Sequence, residues 1–338
     1  MHIQLNDNQL ELSDIDSQHI DKLDSMLGFW GFEEKNKSFF ISLDDYKEIL
    51  EKVSNYCKKL DIAFNTSNEI SLLLKEFSEI DRKFENTLNI CRQFKDGIDN
   101  QQISEAKSFF KNNIFRPLKD HQIKSACHLY LAECAANFSV PGSGKTSVVL
   151  SVYEKLKQEE KVNTLFVIGP TTCFSSWKEE FNKTLNRSPK SKILAGGDRY
   201  SRKLNYSISN KDDISELYIT SFQTLINDIE EVSEFLMDPL VKPFIIIDEA
   251  HYMKQINGSW AKAVLKISEY AINRCILTGT PLPKGYSDVF NYFEFLWPSN
   301  EIITEEKKAK LQLLESVDDH STASEILNNC ISPLCYRV

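Results

Sequence analysis

Hydrophobic residues in the first part of the chain recur mainly every three or four positions. Two stretches, 43–60 and 70–94, keep this spacing long enough to indicate amphipathic helices, with polar residues between the apolar ones. Ser42, followed three residues later by Asp45, is a candidate start for the first of these helices. The spacing therefore predicts a mainly helical N-terminal domain, which we place at residues 1–115.

The apolar stripe of residues 70–94 admits two interpretations. It could dock a protein partner of the N-terminal domain, or it could lie against the domain's own core. The second is favoured because amphipathic helices of soluble chains usually face a core. Before the helices, apolar and polar residues alternate between Ile3 and Leu12 around a polar centre at 6–8, which predicts a hairpin and hence a short β start.

From Arg116 onward the pattern changes to short apolar runs separated by stretches of helix length. Such runs, rich in Val, Ile and Phe, are typical of strands buried in a parallel sheet with helices on both faces. The predicted strands are Asn137–Val140, Leu165–Ile168, Leu217–Thr220, Phe244–Ile247 and Cys275–Leu277. Residues 116–338 are thus predicted to form an α/β domain.

Composition narrows the class of protein only slightly. A hydrophobic content of 41% with 11 Gly and 10 Pro in 338 residues excludes a disordered or collagenous chain. The eight cysteines show no paired spacing or clustered histidines typical of a zinc site. No leader pattern is visible and no apolar run approaches the ~20 residues of a membrane helix, so we expect a cytoplasmic protein without membrane contact.

The net charge of −9 bears on possible partners. Residues 1–115 hold 14 Lys and Arg against 21 Asp and Glu, whereas residues 116–338 hold 26 against 28. The overall field therefore repels nucleic acid, and a nucleic-acid partner requires a local basic groove.

The strongest chemical motif is Pro141-Gly142-Ser143-Gly144-Lys145-Thr146, between a short apolar run and a helical pattern. In such a loop, glycines let the backbone approach phosphates, the helix N-terminus attracts their charge, the lysine reaches the outer phosphates and the threonine hydroxyl meets Mg²⁺. The general motif has a glycine where this chain has Ser139, so a chance Gly-rich loop is the alternative. We predict a site for ATP.

A second motif supports that interpretation independently. The apolar run 244–247 ends in Asp248 and Glu249, about 100 residues after the loop. A carboxylate there can hold Mg²⁺, and its neighbour can orient or deprotonate the attacking water. Alone, the pair could simply start a helix; together with the loop, it predicts Lys145, Thr146, Asp248 and Glu249 as catalytic residues, with Thr146 and Asp248 holding Mg²⁺.

The tetrapeptide Asp248-Glu249-Ala250-His251 resembles the box of superfamily 2 helicase-like ATPases. About thirty residues later, Thr278-Gly279-Thr280-Pro281 resembles Swi/Snf-type translocases more than duplex-unwinding branches. Trp177, with the glutamates that follow it, is similar to the same family. We identify residues 116–338 as resembling the first RecA-like lobe of a Swi/Snf-type ATPase.

Further motifs of the resemblance occur in the family's order. Gln122 matches the glutamine of its adenine-reading segment. Pro170 with Thr171, and Thr220 with Ser221, match segments that contact the nucleic-acid backbone, and 196–197 matches a glycine turn. The resemblance further implies that His251, Thr278, Gly279 and Thr280 couple nucleotide to nucleic acid, and that 331–338 ends the lobe.

Two departures from the family stand out. Ser139, Val140 and Pro141 replace an acidic residue and Met before the loop, and Pro283-Lys284 replaces Gln-Asn. They favour a divergent branch, such as the motor of a bacterial restriction or phage-defence system, over a eukaryotic remodeller.

By resemblance, the function is an ATP-dependent motor that binds ATP with Mg²⁺ and moves on duplex DNA. A second RecA-like lobe would supply arginines, and no motif of that lobe is present, so we expect a piece of a longer protein with slow turnover. The alternative is a nucleotide-gated adaptor that does not hydrolyse ATP and whose N-terminal domain docks a protein.

Overall fold

The computed structural model describes residues 1–6, 9–42, 47–253, 258–282, 285–298, 300 and 302–338. The chain divides into two compact units, Met1–Glu85 and Asn86–Val338. This division lies earlier than the predicted boundary at residue 115, because Phe110 and the helix that carries it belong to the core of the second unit.

The first unit combines a five-stranded sheet with helices. Its strands are β1 His2–Asn6, β2 Gln9–Ser13, β3 Glu33–Lys35, β4 Ser38–Ser42 and β5 Asn65–Thr66; its helices are α1 Ser17–Phe29, α2 Lys47–Lys59 and the first part of α3 Asn68–Lys95. The strand order is β3-β4-β2-β1-β5. The predicted hairpin is confirmed as the antiparallel pair β1 and β2, in which Ile3 faces Leu12.

Two details of the N-terminal predictions lie outside the described residues. These are positions 7–8 at the hairpin turn, and positions 43–46, which include Asp45 of the proposed helix start. The stripe on α3 is buried where it begins, at Ile70 in the core of the first unit, and again at Cys91 in the core of the second. Core packing, the favoured interpretation, thus accounts for both positions.

The second unit has the predicted α/β architecture. Its helices are α4 Gln101–Asn112, α5 Asp120–Ala132, α6 Lys145–Gln158, α7 Phe174–Leu185, α8 Arg199–Tyr206, α9 Phe222–Asn227, α10 Ile229–Met237, α11 Ser259–Ser268, α12 Phe290–Leu296, α13 Glu305–Ser316 and α14 His320–Ile331. Its strands are β6 Cys134–Asn137, β7 Thr164–Ile168, β8 Ser191–Leu194, β9 Leu217–Thr220, β10 Pro243–Asp248, β11 Asn273–Leu277 and β12 Cys335–Tyr336. All neighbours pair in parallel, in the order β12-β6-β11-β10-β7-β9-β8.

The central strands are buried on both faces, as their unbroken apolar sequences predict. Val167 and Ile246 pack in one core with residues of α6 and α7. On alternate positions, Phe166 contacts Phe235 of α10 at a ring-centroid distance of 6.3 Å. Each buried Val, Ile, Leu or Phe contributes about 1.5–3 kcal/mol, so this double burial fixes the sheet edge that carries the motifs.

One predicted strand was wrong. The strand before the Gly-rich loop is β6, Cys134–Asn137, instead of Asn137–Val140. Glu133 ends α5 with a φ of 57°, so the strand begins at once, and its small residues resemble a continuation of the helix. The edge strands β8 and β12 were not predicted, because neither has an apolar run of recognisable length.

Among the described residues, no helix is both long and apolar enough to cross a membrane.

Candidate nucleotide and nucleic-acid sites

The predicted site residues lie at the carboxyl edge of the second sheet, in two groups. Segment 141–146 follows β6, segment 278–280 follows β11, and Glu249 follows β10; these three strands are neighbours. The segments predicted to contact nucleic acid follow the adjacent strands β7 and β9, and the glycine turn follows β8. The strand order therefore separates a predicted nucleotide half from a predicted nucleic-acid half of one edge.

The Gly-rich loop leads into the N-terminus of α6. Gly144 is the residue before the helix and has a φ of 86°, a backbone conformation that residues with a side chain rarely adopt. A Cβ at this position would also lie 2.1 Å from Nε2 of Gln122. The backbone conformation therefore requires glycine, whereas the flexible Gln122 side chain can shift to admit a Cβ. The free amides of the first helical turn face the loop, where an anion is favoured.

Side chains from three segments converge on this loop. Lys145 Nζ donates to the carbonyl of Ser139 at 3.0 Å, inside the loop's curve. Gln122 Nε2 donates to the carbonyl of Ser143 at 3.1 Å, and Nε2 of His121 lies 3.2 Å from the same oxygen. The buried Ser143 hydroxyl has no partner among the described residues. The Lys145 ammonium, the amides at the start of α6 and the unbonded Ser143 hydroxyl together suit a chain of phosphates.

Asp248 ends β10 and accepts two hydrogen bonds. Its Oδ1 accepts the backbone N–H of Glu249 at 3.0 Å, and its Oδ2 accepts the indole N–H of Trp177 at 2.9 Å. Glu249 has a φ of 51°, a strained conformation for a non-glycine residue that is common at functional sites. Its carboxylate lies 3.2 Å from Nδ1 of His251. The Asp248 carboxylate is thus held at the strand end with the Glu249 carboxylate beside it, a setting that suits Mg²⁺ and water.

Trp177 links the two halves of the edge. It is fully buried on α7, directly after the Pro170–Thr171 segment, and its bond reaches Asp248 of the neighbouring strand. Beside it, burial and the Asp248 carboxylate raise the pKa of the Cys173 thiol to about 12, so the thiol stays neutral. The sequence marked Trp177 only as a family feature, and no local signal indicated its partner.

The segment 278–280 touches the Gly-rich loop directly. A Cβ at Gly279 would lie 2.8 Å from Cδ of Pro141, so glycine permits this close approach. Thr278 is buried and its backbone N–H donates to the carbonyl of Asn137, at the end of β6. Thr280 N–H donates to the Thr278 hydroxyl at 3.2 Å. The departure noted at 283–284 lies outside the described residues.

The four residues predicted to contact nucleic acid differ in exposure. Thr171 is exposed and Pro170 partly buried, both at the end of β7. Ser221 is partly buried and caps α9, accepting the N–H of Thr224 at 3.1 Å. Thr220 is fully buried, and its hydroxyl donates to the carbonyl of Leu194 at 3.0 Å. Its side chain therefore braces β9 against β8 and does not reach the surface.

An ion pair that the sequence did not suggest holds the glycine turn. Arg202 on α8 makes a two-pronged contact with Asp228, at 2.6 and 2.9 Å, and donates to the carbonyls of Gly196 and Gly197 at 3.0 and 2.9 Å. Asp228 is buried between α9 and α10. The guanidinium thus fastens the turn after β8 to the helices after β9.

The SNF2-related domain matches residues 121–337. The chain belongs to this family. Membership confirms the predicted relationship to Swi/Snf-type superfamily 2 ATPases, and the parallel sheet with flanking helices confirms the predicted RecA-like lobe.

Several known proteins are similar to this chain. The DNA excision repair protein ERCC-6-like of Mus musculus is 24% identical over 237 residues, 69% of this chain and 19% of that protein. An uncharacterized ATP-dependent helicase of Mycoplasma genitalium is 25% identical over 270 residues, 79% and 22% of the two chains. This chain thus spans about a fifth of the length of these relatives.

A solved structure is also similar. The SWI2/SNF2 ATPase core of Sulfolobus solfataricus, in complex with dsDNA, has a TM-score of 0.55 and 25% identity. The match covers 68% of this chain and 46% of that core. The SNF2-related chain described here therefore corresponds to less than half of that ATPase core.

Trp177→Phe tests the bond to Asp248. We expect the Mg²⁺ concentration for half-maximal nucleotide binding to rise about tenfold, because groups that orient a metal ligand commonly have effects of this size. Loss of the indole N–H and of ring volume should lower the free energy of unfolding by about 1–3 kcal/mol. A Mg²⁺ titration of nucleotide binding and thermal unfolding measure the two effects.

Phe181→Leu is the matched control, because Phe181 is fully buried on the same helix and packs against Tyr153. It should lower stability and leave the Mg²⁺ midpoint unchanged. Equal midpoints for the two variants would show that Trp177 acts only through packing.

Proposed function

We propose that this chain is the ATP-binding lobe of a motor that couples ATP hydrolysis to movement on duplex DNA. The observation that carries the proposal is the division of one sheet edge into a nucleotide half and an adjoining nucleic-acid half. Membership of the SNF2-related family supports it, as does the similarity to an ATPase core solved with dsDNA.

In the proposed nucleotide half, the phosphates of ATP lie on the backbone of 141–146. Lys145 leaves the loop carbonyls and binds the outer phosphates, and Gln122 lies beside the loop to receive the adenine. Thr146 and Asp248 hold Mg²⁺, which neutralises charge on the phosphates. The strands β6 and β10 are two strand spacings apart, about 10 Å, so a Mg²⁺-bound triphosphate can span the distance.

Glu249 is proposed as the residue that orients and deprotonates the attacking water. Its carboxylate lies 3.2 Å from Nδ1 of His251. On the other side of the loop, segment 278–280 touches Pro141 through Gly279 and so responds to movement of the loop. These contacts suit the proposed coupling roles of His251 and of Thr278 to Thr280.

In the proposed nucleic-acid half, Pro170, Thr171 and Ser221 contact phosphates of the duplex. Phosphate contacts position a nucleic acid without reading its sequence. Thr220 takes part only through its backbone, since its hydroxyl is bonded within the sheet. Arg202 supports this half by fixing the glycine turn.

The experiment measures duplex binding at a series of salt concentrations. Fluorescence anisotropy with two labelled duplexes of unrelated sequence is the readout. We expect affinities within about twofold of each other, and a plot of log affinity against log salt that falls by about 0.9 per phosphate contacted. Thr171→Glu should weaken binding about tenfold at low salt through repulsion of phosphate. Thr322→Glu, at an exposed position of α14, is the control. Salt-independent affinity, or equal effects of both variants, contradicts the proposed interface.

Residues that bind ATP and duplex DNA suit either a hydrolysing motor or a nucleotide-gated adaptor that does not hydrolyse ATP. A second lobe that supplies arginines would raise turnover by about 10³–10⁵; we propose that such a lobe completes the motor and that the isolated chain is slow. The departures at 139–141 favour a bacterial restriction or phage-defence motor. If a longer protein that contains this lobe hydrolyses ATP faster with duplex DNA, the result supports the motor. If that protein binds ATP but duplex DNA does not stimulate hydrolysis, the result supports the adaptor.

A further inference from the structure

Four aromatic rings connect the proposed water-orienting residue with the proposed nucleic-acid half. His251 stacks on Tyr252 with ring centroids 4.6 Å apart and an interplanar angle of 28°. Tyr252 in turn contacts Phe222 at 5.9 Å and Trp260 at 6.0 Å, and Phe222 stacks on Trp260 at 5.5 Å. These distances fall within the range in which aromatic pairs attract.

The ends of this cluster are the two functional segments. Phe222 immediately follows Ser221 and begins α9, so any movement of Ser221 moves the buried Phe222 ring. At the other end, Nδ1 of His251 lies 3.2 Å from the Glu249 carboxylate, so a movement of the imidazole ring changes the surroundings of that carboxylate. Within the part of the chain that the structure describes, Tyr252 is the one ring that touches both His251 and Phe222.

We propose that Tyr252 is a positioning residue that transmits duplex binding at Ser221 to Glu249, through Phe222 on one face and His251 on the other. The proposal rests on the proposed function. Two features suit it. Tyr252 is 43% exposed, so it has room to move, whereas Phe222 is nearly buried and held by Trp260 of α11. Glu249 has a strained backbone, which a shift of the following turn can relax.

The test is single-turnover hydrolysis of ATP by the full chain, with and without a saturating duplex, together with duplex affinity from anisotropy. We expect the duplex-induced acceleration, the ratio of the hydrolysis rates with and without duplex, to be at least about fivefold smaller in Tyr252→Ala. Its rate without duplex and its duplex affinity should stay within about twofold of the unsubstituted chain. Tyr252→Phe keeps the ring and should retain the acceleration.

Three outcomes overturn the proposal: acceleration unchanged in Tyr252→Ala, a loss shared equally by Tyr252→Phe, or no acceleration in an unsubstituted chain that binds both ATP and duplex. Loss of duplex affinity in Tyr252→Ala also overturns it, because Tyr252 then contacts the duplex instead of transmitting its binding. Failure of the unsubstituted chain to bind ATP or duplex is a different result. That result contradicts the proposed function itself and leaves the role of Tyr252 without its premise.

Discussion

Lys145→Ala is expected to lower ATP affinity by about 10- to 10²-fold, because a hydrogen bond between charged groups is worth about 1.5–3 kcal/mol. The ammonium group donates to the carbonyls of Ser139, at 3.0 Å, and Val140, at 3.4 Å, just before the loop, and to no other group among the described residues. Its loss therefore leaves the fold intact, and the unfolding temperature should change little. Titration with a fluorescent ATP analogue measures the affinity.

Lys310→Ala, on the exposed face of α13, is the control for removal of a positive charge. It should leave ATP affinity unchanged. Equal affinities for both variants, with both folded, would mean that Gly142 to Thr146 form a structural turn only.

Glu249→Gln is expected to slow single-turnover hydrolysis by about 10²–10⁴-fold while ATP affinity stays within about twofold. Glutamine has nearly the same shape and can still meet His251, but it cannot accept a proton from water. The separation of rate from affinity distinguishes Glu249 from Lys145, whose loss affects binding first. Quenched-flow or long-time radiolabel assays measure the rate.

The control for Glu249→Gln is Glu269→Gln, an exposed glutamate at the end of α11. It should be silent in both assays. An unchanged hydrolysis rate in Glu249→Gln would assign the base elsewhere or favour the non-hydrolysing adaptor. A parallel fall of affinity and rate would place Glu249 in nucleotide binding.

The sequence signals that predict the nucleotide half are local. Segment 141–146 contains its own glycines, lysine and helix start, and Asp248 and Glu249 follow a strand whose burial is evident from an unbroken apolar run. Local patterns cannot reveal contacts between distant residues. Trp177 and Asp248 are 71 positions apart, and only the neighbouring positions of β7 and β10 bring them together.

The sheets show the same limit. In the first unit, the sequence predicted the hairpin but not the five-stranded sheet, because β3 is Glu-Glu-Lys with every residue exposed and β5 has two residues. Such strands exist because the partner strands β4 and β1 supply the hydrogen bonds, not because their own side chains favour extension. In the second unit, β6 is short and rich in alanine, which explains the shifted prediction.

Thr220 illustrates how neighbouring residues of one family motif can differ in burial. The resemblance grouped it with Ser221, yet its hydroxyl is bonded inside the sheet while Ser221 lies at the edge. Burial, which no motif states, separates a residue that braces two strands from one that can meet a ligand.

The central claim is that Lys145, Thr146, Asp248 and Glu249 surround a single Mg²⁺-bound triphosphate. A crystal structure of the chain with Mg²⁺ and a non-hydrolysable ATP analogue tests it most directly. We expect phosphates along the amides of 142–146, with Mg²⁺ bonded to Thr146 Oγ1 and held by Asp248 directly or through one water. A nucleotide bound elsewhere, or a metal that Asp248 does not reach, would contradict it.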